Sequence, residues 1–306
     1  MLNFDLHSHS RISDGVLSPT ELVERAHANG VKVLALTDHD EVGGITEAKK
    51  AAAIHGIQLV SGVEISITWA GTSIHIVGLN VDENDPVLIE NLRRNRSGRI
   101  ERAQRMGERL AELGVPGAYE GALKYVTNPS LISRKHFARF LVESGVCSNI
   151  SNAFDRFLGD GAPAYIRHQW ATLTESMEWI LNSGGTAIVA HPGRYPLKDV
   201  ALYAFLDEFK QLGGTGIEAV TGSHSPDQYL EFARLAKRYG LLVSAGSDFH
   251  APGESPVDVG CLPDFPCPVE TVWKDFLPPL LRIETIKRLH EAGFAVIFHH
   301  LVKNIN

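Results

Sequence analysis

Cysteine is scarce: there are three in 306 residues, Cys147, Cys261 and Cys267. They are too few and too scattered for a disulfide scaffold or a thiolate zinc site. Surplus positive charge is also missing. Lys and Arg number 29 against 36 Asp and Glu, a formal net charge of -7. That excludes a globally basic nucleic-acid binder, and no DNA-binding surface is evident. Any contact with nucleic acid must use a local patch. No apolar run reaches the length of a membrane span. The start, Met1-Leu2-Asn3-Phe4-Asp5, has neither a basic segment nor the apolar stretch of a signal peptide. These absences predict a cytoplasmic protein without a membrane partner. Repeats and low-complexity segments are absent too. What is abundant is histidine, 14 residues, which with so little thiol points to imidazole and carboxylate metal sites.

The chain alternates strand and helix signals at both ends. Leu2, Phe4 and Leu6 have the period of a strand. Ser18-Pro19-Thr20-Glu21 carries the N-cap, first-turn proline and capping glutamate of a helix that ends at Asn29-Gly30. Val31–Leu36 reads as a buried strand, and an alanine-rich helix follows Gly43-Gly44 and closes at Gly56. Leu59–Val63 reads as a third strand. Ile65–Trp69 and Ser73–Leu79 flank the turn signal Ala70-Gly71-Thr72, predicting an intruding hairpin. Helical patterns dominate residues 85–165. Strands then return at Ala187–Ala190, Gly216–Val220 and Leu241–Ala245, separated by helices over Asp199–Leu212 and Pro226–Tyr239. About seven strands in repeated βα units predict a parallel α/β barrel with helices outside. The expected organisation is a discontinuous barrel, 1–84 and 166–261, a helical insertion, 85–165, and a C-terminal segment, 262–306, of unclear role. Within that segment, Ile283–Ala292 reads as helix and Phe294–Phe298 as strand.

Acids and histidines gather just after the strands, where a parallel barrel carries its functional face. Asp5, His7 and His9 share one side of an extended segment. Asp14 lies in the following loop. Asp38-His39-Asp40 follows the second strand and Glu64 the third, and His75 returns from the hairpin. His191 follows the fifth strand, and Asp248 and His250 the last. One such histidine would be an ordinary structural residue. Six at separate strand ends, with carboxylates between them, predict a metal centre.

These motifs, Asp5–Ser10 (DLHSHS), Thr37–Asp40 (TDHD), Gly62–Glu64 (GVE), Ala190–Pro192 (AHP) and Gly246–His250 (GSDFH), resemble the polymerase and histidinol phosphatase (PHP) superfamily. The resemblance implies a distorted seven-stranded βα barrel holding three divalent metals, Mn foremost, with Fe or Zn as alternatives. His7, His9, Glu64 and Asp248 would hold the first metal. Glu64, His75 and His191 would hold the second, and Asp14, His39 and His250 the third. A hydroxide bridging two cations would then attack phosphorus. Asp5, Asp38 and Asp40 read as outer partners that aim the histidines, with capping and turn formation as the alternative.

Ser133-Arg134-Lys135-His136 opens a helix whose N-terminus and cations would suit a phosphate. A solvated basic helix is the alternative. Tyr165–Trp170 mixes aromatic and basic residues that could stack a base. Arg194 stands beside the metal motif, where it would meet a phosphate oxygen. His224 would contact phosphate or protonate a leaving group, or else cap its loop. Arg94, Arg102, Arg105 and Arg109 lie opposite Leu92, Ala103, Met106 and Leu110 on one helical wheel, predicting a salt-bridged solvent face rather than an RNA track. The segments Ser133–Val142, Tyr165–Thr172 and Gly222–Ser225 resemble the bacterial PHP subgroup that hydrolyses nucleoside 3′,5′-bisphosphates and trims 5′-phosphorylated RNA. Arg134, Lys135, His136, Arg194 and His224 would face a nucleotide or short RNA substrate. Arg167 departs from the proline of that subgroup, and the tail after about residue 281 matches nothing in it. Histidinol-phosphate phosphatase and a silent PHP scaffold are the competing readings.

Overall fold

The computed structural model describes residues 3–197 and 199–275. The expected helix at Ile283–Ala292 and strand at Phe294–Phe298 lie outside the described residues. No described helix is long and apolar enough to cross a membrane.

A seven-stranded sheet runs in sequence order: β1 (Phe4–Asp5), β2 (Val33–Leu36), β3 (Gln58–Trp69), β4 (Thr72–Leu79), β5 (Thr186–Val189), β6 (Gly216–Thr221) and β7 (Leu242–Gly246). Leu6 N–H donates to the Ala245 carbonyl (3.0 Å) and His9 N–H to that of Phe249 (2.9 Å). These bonds bring the first and last strands together and nearly close a barrel. The barrel is not wholly parallel, as the sequence had suggested. β4 is antiparallel to both β3 and β5. The hairpin does not intrude, because its return strand occupies a barrel position. Leu59–Val63 and Ile65–Trp69, read from the sequence as two strands, form one continuous strand of 12 residues that includes Gly62. A Cβ there would lie 2.7 Å from the Thr37 methyl, so the glycine serves close packing of β2 on β3 rather than a turn.

The helices follow from their caps. α1 (Pro19–Ala28) begins with the expected capping box of Ser18 and Glu21. α2 (Ile45–His55) stops at Gly56, whose φ of 64° needs a residue without a Cβ. α3 (Pro86–Asn95) contributes Leu88 and Leu92 to the core around the barrel. It is therefore a barrel helix, although the sequence placed it in the insertion. α4 (Arg99–Glu112), α5 (Ala118–Leu123), α6 (Arg134–Glu143) and α7 (Ile150–Ala153) surround a separate core that runs from Ala103 to Ile166. α8 (Leu173–Asn182), α9 (Asp199–Gln211) and α10 (Pro226–Tyr239) complete the outer layer.

The barrel interior is apolar at the end away from the motifs. Leu6, Val33, Val60, Leu79, Ile188 and Val220 form a cluster that Val272 and Trp273 enter. Trp273 stacks on Phe4 with centroids 4.4 Å apart, and Val243 N–H donates to the Glu270 carbonyl at 2.7 Å. Residues 270–273 thus plug the barrel. That gives a place to part of the segment that the sequence left unassigned.

Candidate metal centre and adjoining pocket

Most motif residues follow the C-terminal ends of strands, while Glu64 lies within β3 and His75 within β4, and all of them converge at one mouth of the barrel. Two local features make this possible. Gly246 lets β7 pass β1, since a Cβ there would meet His7 Cβ at 2.2 Å. Asp40, His191 and Asp248 take left-handed backbone, with φ of 50°, 27° and 53°. Such conformations cost about 1–3 kcal/mol each, and here they turn side chains back over the barrel mouth.

Three groups of ligand-competent atoms result: His7, His9, Glu64 and Asp248; His9, Asp14, His39 and His250; and His39, Glu64 and His75. In the first, His7 Nε2 lies 3.1 Å from His9 Nε2, 3.4 Å from Glu64 Oε2 and 3.6 Å from Asp248 Oδ1. Ligands about 2.1 Å from one cation stand about 3.0–3.4 Å apart, so the spacing suits a shared ion. Glu64 Oε1 meets His75 Nδ1 at 2.8 Å and His191 Nε2 at 2.9 Å. His250 Nε2 is 3.2 Å from Asp14 Oδ1, and His39 Nε2 is 3.8 Å from Asp14 Oδ2. His39 also turns Nδ1 to Glu64 Oε2 at 2.9 Å, so it stands between the second and third groups. All nine expected ligands are therefore in one cluster.

Its electrostatics suit cations. Burial opposes ionisation of Asp14, Glu64 and Asp248, but the surrounding imidazoles win and hold all three well below the usual carboxylate range. Burial pushes His191 and His250 down to about 3, which leaves them neutral with free lone pairs. Asp14 Oδ1, Glu64 Oε2, His9 Nδ1 and His191 Nδ1 are buried and make no hydrogen bond. Orphaned polar atoms at this density fit a site built for metal. The donor set contains no thiolate and suits Mn, Fe or Zn.

The three outer aspartates do something other than expected. None of them accepts from an imidazole among the described bonds. Asp5 receives the backbone N–H groups of Ser247 (2.9 Å) and Gly260 (2.8 Å). Asp38 receives Ser10 N–H and the hydroxyls of Ser10 and Ser13, which shape the loop that carries Asp14. Asp40 receives Ser66 N–H and Asn95 Nδ2 and pairs with Arg99. They order loops instead of aiming rings. The residue that aims a ring is Glu218 on β6. Its Oε1 accepts from His7 Nδ1 at 2.8 Å and its Oε2 from His191 N–H at 2.6 Å. An acid within the apolar strand Gly216–Thr221 was the available signal, since a buried carboxylate needs partners. Tyr195 adds a second tie, accepting from His75 N–H and donating to the Ala190 carbonyl, both at 2.9 Å.

A pocket opens from this cluster towards the insertion. Arg99, Arg102, Arg134, Lys135, Phe154, Trp170 and Arg194 line it together with the motif residues. Arg194 Nη1 donates to Asp248 Oδ2 at 2.8 Å. Ser133 caps α6, and its hydroxyl also donates to Asp14 Oδ2 at 2.8 Å. The cation-bearing turn is thereby fastened to the cluster. Two of the expected substrate contacts are not in the lining. His136 is fully buried, and its Nδ1 accepts from Ser133 N–H to complete the cap. His224 Nδ1 donates to the Ala219 carbonyl (2.9 Å), while Nε2 accepts from Gly193 N–H (3.0 Å). Both its nitrogens are spent on backbone, and burial lowers its pKa, so His224 caps a loop and is no proton donor.

The arginine-rich stretch also differs from the expectation. α3 and α4 are separate helices, and Arg99 and Arg102 turn inward. Their guanidinium carbons lie 4.6 and 5.5 Å from the Trp170 ring centroid. That ring is covered by cations and offers no open platform for a base.

Residues 5–212 match the PHP domain family. The chain belongs to that family. The PHP chain is 46% identical to the 3′,5′-nucleoside bisphosphate phosphatase of Chromobacterium violaceum over 92% of its own length and 99% of that protein's. It is 40% identical to the 5′-3′ exoribonuclease Rnm of Escherichia coli, over 89% of its length and 92% of that enzyme's. A solved Chromobacterium violaceum structure, described as an amidohydrolase with bound sulfate and no metal, superposes with a TM-score of 0.86 at 46% identity, covering 89% of this PHP chain and 95% of that one.

Proposed function

We propose that this chain is a metal-dependent phosphoesterase that removes the 3′-phosphate of nucleoside 3′,5′-bisphosphates and trims short 5′-phosphorylated RNA from its 5′ end. The observation that carries the reading is a single pocket that joins the nine-residue His/carboxylate cluster to Arg102, Arg134, Lys135 and Arg194. A substrate with a phosphate at each end matches both halves. The two relatives named above, a bisphosphate phosphatase and an exoribonuclease, support it.

In this reading His7, His9, Glu64 and Asp248 hold one divalent metal, Glu64, His75 and His191 a second, and Asp14, His39 and His250 a third, with Mn the preferred ion. Such metals supply Lewis-acid polarisation of phosphoryl oxygens and make water acidic enough to act as a nucleophile near neutral pH. The side chains do the rest. Arg194, held by Asp248, presents N–H groups beside the cluster and orients a non-bridging oxygen. Lys135 adds a point charge facing Asp14 and Asp248. The net reaction forms one P–O bond from water and breaks the bond from phosphorus to O3′. Phe154 and the Ser133–Lys135 turn, both in the insertion, wall one side of the pocket.

The test is phosphate release by Mn-loaded protein from adenosine 3′,5′-bisphosphate, histidinol phosphate and a 5′-phosphorylated oligoribonucleotide, with metal content measured alongside. The bisphosphate should be turned over fastest, and Asp248→Asn should abolish turnover. Faster release from histidinol phosphate would assign the other substrate. Metal-free protein with no hydrolysis would leave a silent scaffold.

A further inference from the structure

The three groups of ligands are not held from the same side. His7, His75 and His191 are tied within the barrel, through Glu218 and Tyr195. Asp248 is tied through Arg194. The third group leans on the insertion. Asp14 Oδ2 accepts from the Ser133 hydroxyl, at the head of α6, at 2.8 Å. Further along the same helix, Arg139 reaches the loop that carries His250. Its Nε lies 2.9 and 3.1 Å from the two Glu254 carboxylate oxygens, and its Nη2 lies 2.9 Å from Oε2. Arg139 is 6% exposed and the Glu254 side chain 22%, so this fork is largely shielded from water and holds one geometry.

A short chain of bonds joins Glu254 to the ligand. The N–H groups of Glu254 and Ser255 donate to the Ala251 carbonyl, which folds 251–255 into a turn. The Ser255 hydroxyl then accepts from His250 N–H at 2.8 Å. His250 Nδ1 donates to the Asp248 carbonyl at 2.7 Å. That leaves Nε2, 3.2 Å from Asp14 Oδ1, for a cation. One helix of the insertion therefore fixes two of the three ligands, Asp14 and His250, although they lie on separate loops of the barrel.

We propose that Arg139 and Glu254 are positioning residues for the third metal, and that this metal binds tightly only while α6 is docked on the barrel. The inference rests on the three-metal reading above. Undocking would free the Asp14 side chain and let the 251–255 turn drift, while the ties of the other two groups stay in place. By linkage, the third metal stabilises the docked insertion by the same factor as docking strengthens the metal. The helix that opens with the pocket cations Arg134 and Lys135 thus also completes the metal centre.

The experiment follows Mn uptake by the whole chain, first stripped of metal, in equilibrium dialysis with elemental analysis. Wild type should take up three ions. Arg139→Gln and Glu254→Gln should each weaken one ion about 10- to 100-fold and leave the other two within about 2-fold. The double variant should lose no more than either single one, because both break the same pair. Asp14→Asn, which removes a ligand of the third group, should lose the same ion, and adding Arg139→Gln to it should leave the remaining two unchanged. Thermal unfolding of the metal-free proteins reads the fold separately. Glu254→Gln, on the loop rather than in the helix, carries the test if Arg139→Gln does not fold. A folded variant that binds three ions with wild-type affinity overturns the proposal, as does equal weakening of all three. Wild type that saturates at two ions overturns the three-metal reading itself, and the proposal with it.

Discussion

Replacing Glu218 with Gln tests how the cluster is held. Its two oxygens accept from His7 Nδ1 and from the backbone N–H of His191. Glutamine keeps the volume but offers one acceptor oxygen, with an NH2 group at the other position. The His191 N–H cannot move its proton, whereas the His7 ring can. If His7 meets the amide NH2, Nδ1 must become the acceptor and the proton moves to Nε2. That nitrogen faces His9, Glu64 and Asp248, so a metal ligand is lost without any change in a ligand residue. Loss of such an outer partner costs about 10- to 100-fold in metal affinity, or about 1.4–2.7 kcal/mol. Chelator competition with Mn or Zn measures this directly, and thermal unfolding of the metal-free protein separates it from loss of the fold. Glu218→Gln with an intact fold and wild-type affinity would refute the account.

Two further outcomes concern stability. Burial lowers the His136 pKa to about 4 from an ordinary 6.5. The unfolded chain therefore binds a proton that the folded one refuses, and stability is lost as pH falls from about 6.5 towards 4, by about 3 kcal/mol at most. His136→Gln keeps an N3 side chain able to cap α6 and should remove that part of the pH slope in urea titrations; equal slopes would show that the ring is not held neutral. Trp273→Ala empties the barrel plug and should cost about 3–5 kcal/mol in the same assay, while a loss below about 1 kcal/mol would mean that residues 270–273 do not close the barrel.

Much of the fold was legible because it is written in local chemistry. The Ser18 and Ser133 caps and Gly56 mark helix ends through bonds within a few residues. The acids and histidines on and just after the strands were equally plain, and the resemblance of their motifs to the PHP family singled out the nine proposed ligands among them. The hairpin was foreseen, but the place of β4 in the barrel against β5 was missed because that pairing partner is distant in the chain. α3 was misassigned because its leucines, Leu88 and Leu92, do not state which core they join.

The outer residues show the same limit at the site. Spacing brought Asp5, Asp38 and Asp40 beside histidines in the chain, yet the tautomer of His7 is held by Glu218, 211 positions away. His224 follows a strand as the ligands do, but backbone groups take both its nitrogens. Arg102 sits on a wheel with solvent-facing arginines, and only the packing of α4 on Trp170 turns it into the pocket. Sequence by itself determined the kind of chemistry, because metal ligands are restricted to few residue types and these gather in short motifs on and just after the strands. Tertiary structure decided which charges are free to act, because a side chain's availability depends on partners that chain order does not reveal.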